Sequence, residues 1–321
     1  MARADLLVSL AEAATVGDQR RVRQVVEAMI AEERDKQHTI VARDLTRALE
    51  AKPSHNGNGL ARLGAQPERL VYEVIPERKL GDLVLPEAVA ATCRQLAEEH
   101  HRSDLLRSHN LEPRSRVLLT GPPGNGKTSL AEAIATEILA PLFVVRYEAV
   151  VGSFLGETPA RLLRLFDFAR THRCVLFFDE FDTLAKERGD EHETGEVKRV
   201  VSSLLLQIDQ LPSHVLVVTA TNHPELLDRA VWRRFQVRLD LPRPSRQAIQ
   251  EWFDRFQARS GLDLGYTSRT LADKLLGTSY AEVEEFALGV QRRYVLSLPD
   301  ANLREIVRDE LVQRSVQVEA A

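Results

Sequence analysis

The stretch GPPGNGKTSL, residues 121–130, decides the fold, because its first eight residues fit the pattern G-x-x-x-x-G-K-[ST]. In this pattern the glycines let backbone N–H groups approach an anion, and a helix that starts after the loop adds the positive end of its dipole. The lysine reaches the terminal phosphates of a nucleotide, and the next hydroxyl ligates Mg²⁺. An ordinary glycine-rich turn is the alternative. The position of the loop between the apolar run RVLLT and a helical pattern favours phosphate binding, with Lys127 and Thr128 at its end.

Around this loop, short apolar runs alternate with longer amphipathic stretches. Five runs are typical of strands buried on both faces, at residues 116–120, 142–147, 174–179, 215–221 and 237–241. Helical patterns lie between them, at residues 127–139, 158–171, 197–210 and 225–233. This alternation predicts an α/β fold in which helices sandwich a parallel sheet. After residue 244 only helical spacing remains, which predicts a small all-helical lid.

Composition along the chain predicts four segments. Residues 1–51 carry apolar side chains at helical spacing and form an N-terminal helical adaptor module. Residues 52–66, rich in glycine, asparagine and proline, form a flexible linker. Residues 67–242 form the large domain with the phosphate loop, and residues 243–321 form the helical lid.

Overall composition excludes several classes of protein. The chain has 321 residues, of which 44% are hydrophobic and 28% charged, an ordinary balance for a globular protein. Its longest apolar run, CVLFF, is far shorter than the roughly 20 residues of a membrane span. Two cysteines cannot form a disulfide framework, so we expect a cytoplasmic protein. A formal net charge of −4 without a basic stripe makes nucleic acid a poor candidate for the partner.

A buried strand that ends in carboxylates is predicted at VLFFDEFD, residues 175–182. Acidic side chains at the end of an apolar strand are costly unless a cation or ordered water receives them. Asp179 suits the outer sphere of Mg²⁺. Glu180, expected on the opposite side of the strand, suits a base that polarises a water attacking the γ-phosphate. A solvated strand end with helix-capping acids is the alternative, which the neighbouring phosphate loop disfavours.

Polar residues also follow the next two elements. Asn222, at the tip of VLVVTATNHP, could hold the attacking water or a γ-phosphate oxygen, although Asn before His-Pro is also ordinary turn chemistry. Arg233 and Arg234 stand side by side at a predicted helix end. They could serve the helix dipole or a surface ion pair, or reach the nucleotide of a neighbouring subunit, which would require an oligomer.

Four segments together resemble the AAA ATPases in their order and spacing, namely GPPGNGKTS, VLFFDEFD, TATNHPELLDRAVWRRF and GTSYAEVEEF. The resemblance covers about residues 67–296. It implies a five-stranded parallel sheet, a small helical lid and a homo-oligomeric ring, usually hexameric, with ATP held between neighbouring subunits.

The resemblance also implies the residues that bind ATP and Mg²⁺. The Walker A loop corresponds to Gly121, Pro122, Pro123, Gly124, Asn125, Gly126, Lys127, Thr128 and Ser129. Walker B corresponds to Asp179 and Glu180, with Thr128 and Asp179 on Mg²⁺ and Glu180 as the catalytic residue. Sensor 1 corresponds to Asn222, and the arginine fingers correspond to Arg233 and Arg234. Ser279 and Ala281 fall where the lid closes over adenine.

Phe154, Leu155 and Gly156 look like the aromatic–aliphatic–glycine triplet that faces the pore of ring-shaped unfoldases. An exposed aromatic on a glycine-flanked loop can grip a polypeptide backbone through apolar contact. A hydrophobic staple onto the helix near Thr158 is the alternative. The chain departs from the family pattern in two places. The paired-glycine motif before the first helix appears only as LGDL, residues 80–83, and the glycine spacer between the two arginines is missing.

The sequence carries no second active site of a known kind, since it contains neither H-E-x-x-H nor G-x-S-x-G. We therefore expect an ATP-driven remodeller that unfolds or threads a protein client. The alternative is a nucleotide-gated scaffold or regulator of a separately encoded partner, such as a subtilisin-like peptidase, with a role in bacterial defence. A nucleic-acid loader would need a basic inner surface, and a small-molecule kinase would leave the adjacent arginines unexplained.

Overall fold

The computed structural model describes Val25, Val26, Ala28, Ile30 and residues 70–146, 158–181, 196–227 and 229–319. The chain divides into two compact units, residues 1–64 and 65–321. In the first unit the four described residues are helical, and Ile30 is buried. The rest of the predicted adaptor module and linker lies outside the described residues.

One sheet organises the described part of the second unit. Its strands are Val71–Val74 (β1), Arg116–Thr120 (β2), Leu142–Val145 (β3), Cys174–Phe178 (β4), Val215–Thr221 (β5) and Val237–Asp240 (β6). They lie in the order β1, β3, β4, β5, β2, β6. β1 runs antiparallel to β3, whereas all other neighbours are parallel. The carboxyl ends of β2, β4 and β5 therefore meet at one edge of the sheet.

The five predicted parallel strands are confirmed. The predicted burial on both faces was wrong for β6, in which Arg238 and Asp240 are exposed at the sheet edge. Every residue of β4 and of β5 is buried. The sixth strand, β1, was not predicted. Only Val71 of this strand is buried, and Tyr72 and Glu73 are exposed, so VYEV offers no apolar run. Its strand conformation comes from pairing with β3 at the sheet edge.

Among the described residues, six helices precede or connect the strands, at Glu87–His101 (α1), Ser103–Ser108 (α2), Lys127–Glu137 (α3), Thr158–Arg170 (α4), Glu196–Asp209 (α5) and Arg229–Arg234 (α6). The helix predicted at residues 225–233 is divided in the structure. Pro224–Leu226 forms a 3-10 turn, and α6 follows separately. The extended backbone of Leu227, with ψ at 127°, interrupts the helical dihedrals between them.

The last four helices form a second hydrophobic core, separate from the core beneath the sheet. They are Arg246–Ser260 (α7), Ser268–Lys274 (α8), Tyr280–Leu296 (α9) and Leu303–Glu319 (α10). Ser245 and Gly261 delimit α7, since the Ser245 hydroxyl accepts from the Ala248 N–H and Gly261 has a left-handed backbone. This confirms the predicted helical character of the region. None of the described helices combines the length and apolar character that a membrane crossing requires.

Candidate functional site

The phosphate loop joins the end of β2 to the start of α3. Three of its glycines have positive φ, at 135° for Gly121, 74° for Gly124 and 83° for Gly126. Residues with a Cβ rarely adopt this region of backbone conformation. Gly126 is also the N-cap of α3. The tight turn from strand to helix therefore depends on glycine at these positions.

Gly121→Ala is expected to destabilise the fold strongly. A Cβ at this position would overlap the backbone carbonyl of Leu241, and the positive φ is itself strained for alanine. We expect the free energy of unfolding to fall by about 3 kcal/mol or more, measured as a lower Tm. Gly81→Ala is the matched control, because no atom lies within 4 Å of its added Cβ. An equal Tm for the two variants would contradict the argument.

Lys127 and Asn222 meet although they are far apart in the sequence. Because β2 and β5 are adjacent and parallel, the loop after β2 and the residue after β5 lie at the same sheet edge. The buried Lys127 ammonium donates to Asn222 Oδ1 at 2.6 Å, to the Gly121 carbonyl at 2.7 Å and to the Pro122 carbonyl at 2.9 Å. These contacts fix a positive charge beside the N-terminal end of α3, where an anion binds most favourably.

The two predicted carboxylates follow the end of β4. Thr128 Oγ1 donates to Asp179 Oδ2 at 3.1 Å, and the Glu180 backbone N–H donates to Asp179 Oδ1 at 2.9 Å. Glu180 was predicted on the opposite side of the strand from Asp179, and this direction of its side chain stays a prediction. The strand has already ended at Phe178, and the left-handed backbone of Glu180, with φ at 49°, redirects the chain. Both carboxylates line the same cleft.

The lid reaches the phosphate loop through the start of α9. The Ala281 backbone N–H donates to the Gly124 carbonyl at 2.9 Å, and the Tyr280 N–H lies 3.4 Å from Asn125 Oδ1. Asn125 is buried, and within the described part of the chain its Nδ2 has no hydrogen-bond partner. A buried donor without an acceptor is costly, so this amide is available to a bound group.

Ser279, which was predicted near this contact, caps α9. Its backbone N–H and its hydroxyl donate to Glu282 Oε2 at 2.7 and 2.8 Å, and its Oγ lies 3.3 Å from the Glu282 N–H. The hydrogen bond from the Ser279 backbone, with help from the Ser279 hydroxyl and the Arg314 guanidinium, lowers the pKa of Glu282. The carboxylate is therefore held as an ionised cap, which rigidifies the turn that touches the loop.

A cleft of about 500 Å³ connects the phosphate loop, the carboxylates and the lid. Its lining includes residues that were not predicted as site residues, namely Arg78, Asp82, Leu83, Val84, Leu85, Trp252, Arg259, Tyr280 and Glu284. Asp82 and Leu83 belong to the LGDL segment, and Tyr280 and Glu284 belong to GTSYAEVEEF, whereas Trp252 and Arg259 belong to neither motif. Burial, together with the nearby Glu251 carboxylate, raises the pKa of Tyr280 to about 12, so its phenol stays neutral.

The remaining predicted site residues lie elsewhere. Arg233 and Arg234 end α6, outside the lining of the cleft of their own chain. Arg234 Nε is paired with Asp209 Oδ2 at 2.7 Å, whereas Arg233 is exposed. The triplet at residues 154–156 lies outside the described residues, so its place in a pore loop stays a prediction.

Within the described part of the chain, neither a cysteine nucleophile nor a metal site built from several protein ligands has support. Cys93 and Cys174 are buried, and burial raises the pKa of both thiols to about 12, so neither is a ready nucleophile. The described ranges contain no group of three or more His, Cys, Asp or Glu side chains arranged to hold a metal ion. The cleft is therefore the candidate functional site.

Comparisons with known proteins agree with this geometry. Residues 117–243 match the family model described as "ATPase family associated with various cellular activities (AAA)". An uncharacterised AAA family ATPase, y4kL, of Sinorhizobium fredii is 36% identical over 334 residues, which cover 100% of this chain and 99% of that protein. The peroxisomal ATPase PEX6 of Pichia angusta is 37% identical over 187 residues, 54% of this chain and 16% of PEX6.

A more distant relative is a putative 26S proteasome regulatory subunit homolog of Methanothermobacter marburgensis. It is 29% identical over 220 residues, which cover 68% of this chain and 58% of that protein. The match to PEX6 spans only a small part of that longer protein, whereas the match to y4kL spans both chains almost completely. The chain therefore belongs to the AAA family of ATPases.

Proposed function

We propose that the chain works as a ring in which ATP binds between neighbouring subunits and its hydrolysis drives the remodelling of a protein client. As an AAA family ATPase, the chain hydrolyses ATP. The observation that carries the proposal is the cleft, in which Lys127, Thr128, Asp179 and Asn222 face Ala281 of the lid. In this proposal residues 67–242 form the ATPase domain and residues 243–321 form the lid.

The phosphate loop supports binding of the ATP phosphates. Lys127 would hold the terminal phosphates with its buried ammonium, beside the positive end of α3. The unpartnered Nδ2 of Asn125 supplies one further donor at the side of the lid. Arg78 and Arg259 add positive charge to the lining, which also favours a polyanion.

Thr128 and Asp179 fit a magnesium ion. Their hydroxyl and carboxylate oxygens lie 3.1 Å apart, and oxygen ligands of this kind are the ones that Mg²⁺ prefers. Asp179 and Glu180 also face the place of a triphosphate, and such a concentration of negative charge requires a cation. When bound, Mg²⁺ would neutralise charge on the phosphate oxygens.

Glu180 is proposed as the base of the hydrolysis. Its carboxylate would take a proton from a water whose oxygen forms a bond to the γ-phosphorus, while the bond to the β–γ bridging oxygen breaks and ADP leaves. Asn222 lies next to the Lys127 ammonium and would orient the water or a γ-phosphate oxygen. The side chains come from strands that end at one sheet edge, which keeps them in place.

The location of Arg233 and Arg234 supports hydrolysis between subunits. Both end α6 away from the cleft of their own chain, so a guanidinium from this helix would act on the nucleotide of a neighbour. Such an arrangement requires an oligomer, which we propose to be a closed hexameric ring.

The proposal of a protein client rests on the similarity of the chain to a named relative. One relative is named as a putative homolog of a 26S proteasome regulatory subunit, which associates that protein with protein turnover. Here Phe154, Leu155 and Gly156 would grip a polypeptide in the pore, and residues 1–51 would select it. The site of action would be the cytoplasm.

A variant that traps the client tests whether the protein remodels one. Glu180→Gln should bind ATP without hydrolysing it and so retain the client, because a ring that cannot turn over cannot release a gripped chain. Proteins held by this variant from a lysate of its native host are identified by mass spectrometry, with ATP and with ADP. The same trap that also carries Phe154→Ala should lose the client.

Tyr72→Ala in the trap is the control, because it removes an aromatic side chain that is exposed on β1. This double variant should retain the client. A partner retained regardless of Phe154 would contradict threading and would favour a nucleotide-gated scaffold. A subtilisin-like peptidase among the retained proteins would identify a protease partner.

A further inference from the structure

Arg233 and Arg234 are adjacent in the sequence but have different surroundings. Arg234 Nε donates to Asp209 Oδ2 at 2.7 Å, and the two side chains are only 31% and 34% exposed. Arg233 is exposed, and among the described residues its guanidinium has no hydrogen bond or ion pair. The Arg234 guanidinium is therefore paired within its own chain, whereas the Arg233 side chain is exposed to solvent.

Asp209 is a firmly held partner. It is the last residue of α5, where the helix dipole disfavours a carboxylate unless a cation is near. Arg116 of β2 donates to the carbonyls of Ile208 at 3.2 Å and of Asp209 at 2.7 Å. The end of α5 is thus tied to the central sheet, and Arg234 neutralises the carboxylate that this end presents.

The chain beyond Arg234 is equally fixed. Phe235 is buried and packs edge-on against Phe181, with ring centroids 6.1 Å apart. Consecutive residues of a helix point about 100° apart, so Arg233 cannot share the direction of Arg234 toward Asp209. The two anchors that hold the end of α6 therefore leave Arg233 directed away from them.

We propose that the two arginines have different functions, in which Arg233 alone reaches the ATP of the neighbouring subunit and the Arg234–Asp209 ion pair positions the end of α6. This inference rests on the proposed function, because it assumes hydrolysis between neighbouring subunits. Arg234 would have to leave its carboxylate to reach a phosphate, whereas Arg233 has no such partner to give up in the described part of the chain.

Single substitutions separate the two functions. Arg233→Ala and Arg233→Lys should each lower kcat by about a thousandfold, as loss of a guanidinium at transferring phosphate does. Arg234→Lys keeps the charge opposite Asp209 and should stay within about threefold of wild type. Asp209→Asn should lower kcat about tenfold through misplacement of α6, with an unchanged KM for ATP.

Arg94→Ala is the matched control, since Arg94 is an exposed arginine of α1 that pairs with Glu87 of the same helix at 2.7 Å, outside the lining of the cleft. It should hydrolyse ATP as wild type does. If Arg234→Lys instead lost as much activity as Arg233→Lys, or if Asp209→Asn were fully active, the assignment of Arg234 as a positioning residue would be overturned.

A charge exchange gives an independent test. Arg234→Asp places two carboxylates opposite each other and should be severely impaired. Adding Asp209→Arg restores an ion pair of reversed polarity and should recover at least about tenfold of the lost activity. If Arg234 itself contacted the phosphate, the exchanged pair would stay as inactive as Arg234→Asp alone.

Mixed rings distinguish failure of this inference from failure of the proposed function. Lys127→Ala subunits have an intact α6, so they should restore hydrolysis to neighbouring Arg233→Ala or Asp209→Asn subunits, whose own clefts are intact. At equal amounts about a quarter of the interfaces combine an intact cleft with an intact α6. Absence of rescue for Arg233→Ala would refute hydrolysis between subunits. Rescue of Arg233→Ala but not of Asp209→Asn would refute only the positioning pair.

Discussion

Lys127→Ala is expected to abolish ATP binding, with a loss of affinity of at least about a hundredfold. Lys127 as a whole residue is only 7% exposed, so water competes weakly with a bound anion. A charge-assisted hydrogen bond contributes about 1.5–3 kcal/mol, and the ammonium would contact more than one phosphate oxygen. Isothermal titration calorimetry with ADP and ATP measures the loss directly.

The folding of this variant needs its own check, because the substitution also removes the donor of three hydrogen bonds. Asn222 Oδ1 and the carbonyls of Gly121 and Pro122 all lose the Lys127 ammonium. A thermal unfolding curve separates a loss of binding from a loss of structure. Lys274→Ala, at the exposed end of α8, is the control for removal of a lysine and should bind ATP normally. A folded Lys127→Ala variant with wild-type affinity would refute the phosphate-loop assignment.

Most of the sheet could be predicted from sequence, because a strand buried on both faces leaves a continuous apolar run. β4 and β5 show this signal at every position. β1 could not be found in this way, since its four residues are held by long-range pairing with β3 and by the hydrogen bond of 2.8 Å from the Arg146 N–H to the Leu70 carbonyl. Local sequence carries no information about such a partner.

The candidate site likewise contains features that local sequence predicts and features that it does not. The phosphate loop was predictable, because glycine spacing reports directly on backbone conformation. The left-handed backbone of Glu180 was not predictable, because it is a positive φ in a residue type that rarely adopts one. The sequence also did not predict that Trp252 and Arg259 line the cleft, because this depends on how the lid packs on the sheet domain. The pairing of Arg234 with Asp209 spans 25 residues and follows no motif.

Glu180→Gln is expected to lower kcat for ATP hydrolysis by at least about a hundredfold while the dissociation constant of ATP stays within about threefold. Glutamine has the same shape but cannot take a proton from water at neutral pH. The hydrogen bond from the backbone N–H of residue 180 to Asp179 Oδ1 does not involve the side chain and should persist. Phosphate release and nucleotide titration on the same preparation measure the two quantities.

Asp179 and Glu180 line the same cleft, so Asp179 is the alternative candidate for the catalytic base. Asp179→Asn resolves the ambiguity. If Asp179 holds Mg²⁺, this variant should need a higher Mg²⁺ concentration for half-maximal hydrolysis, whereas Glu180→Gln should leave that concentration unchanged. Glu285→Gln, on the exposed face of α9 where Glu285 pairs with Arg292 at 2.8 Å, should hydrolyse ATP normally. Rapid turnover by Glu180→Gln would refute the base assignment and transfer that role to Asp179 or to solvent.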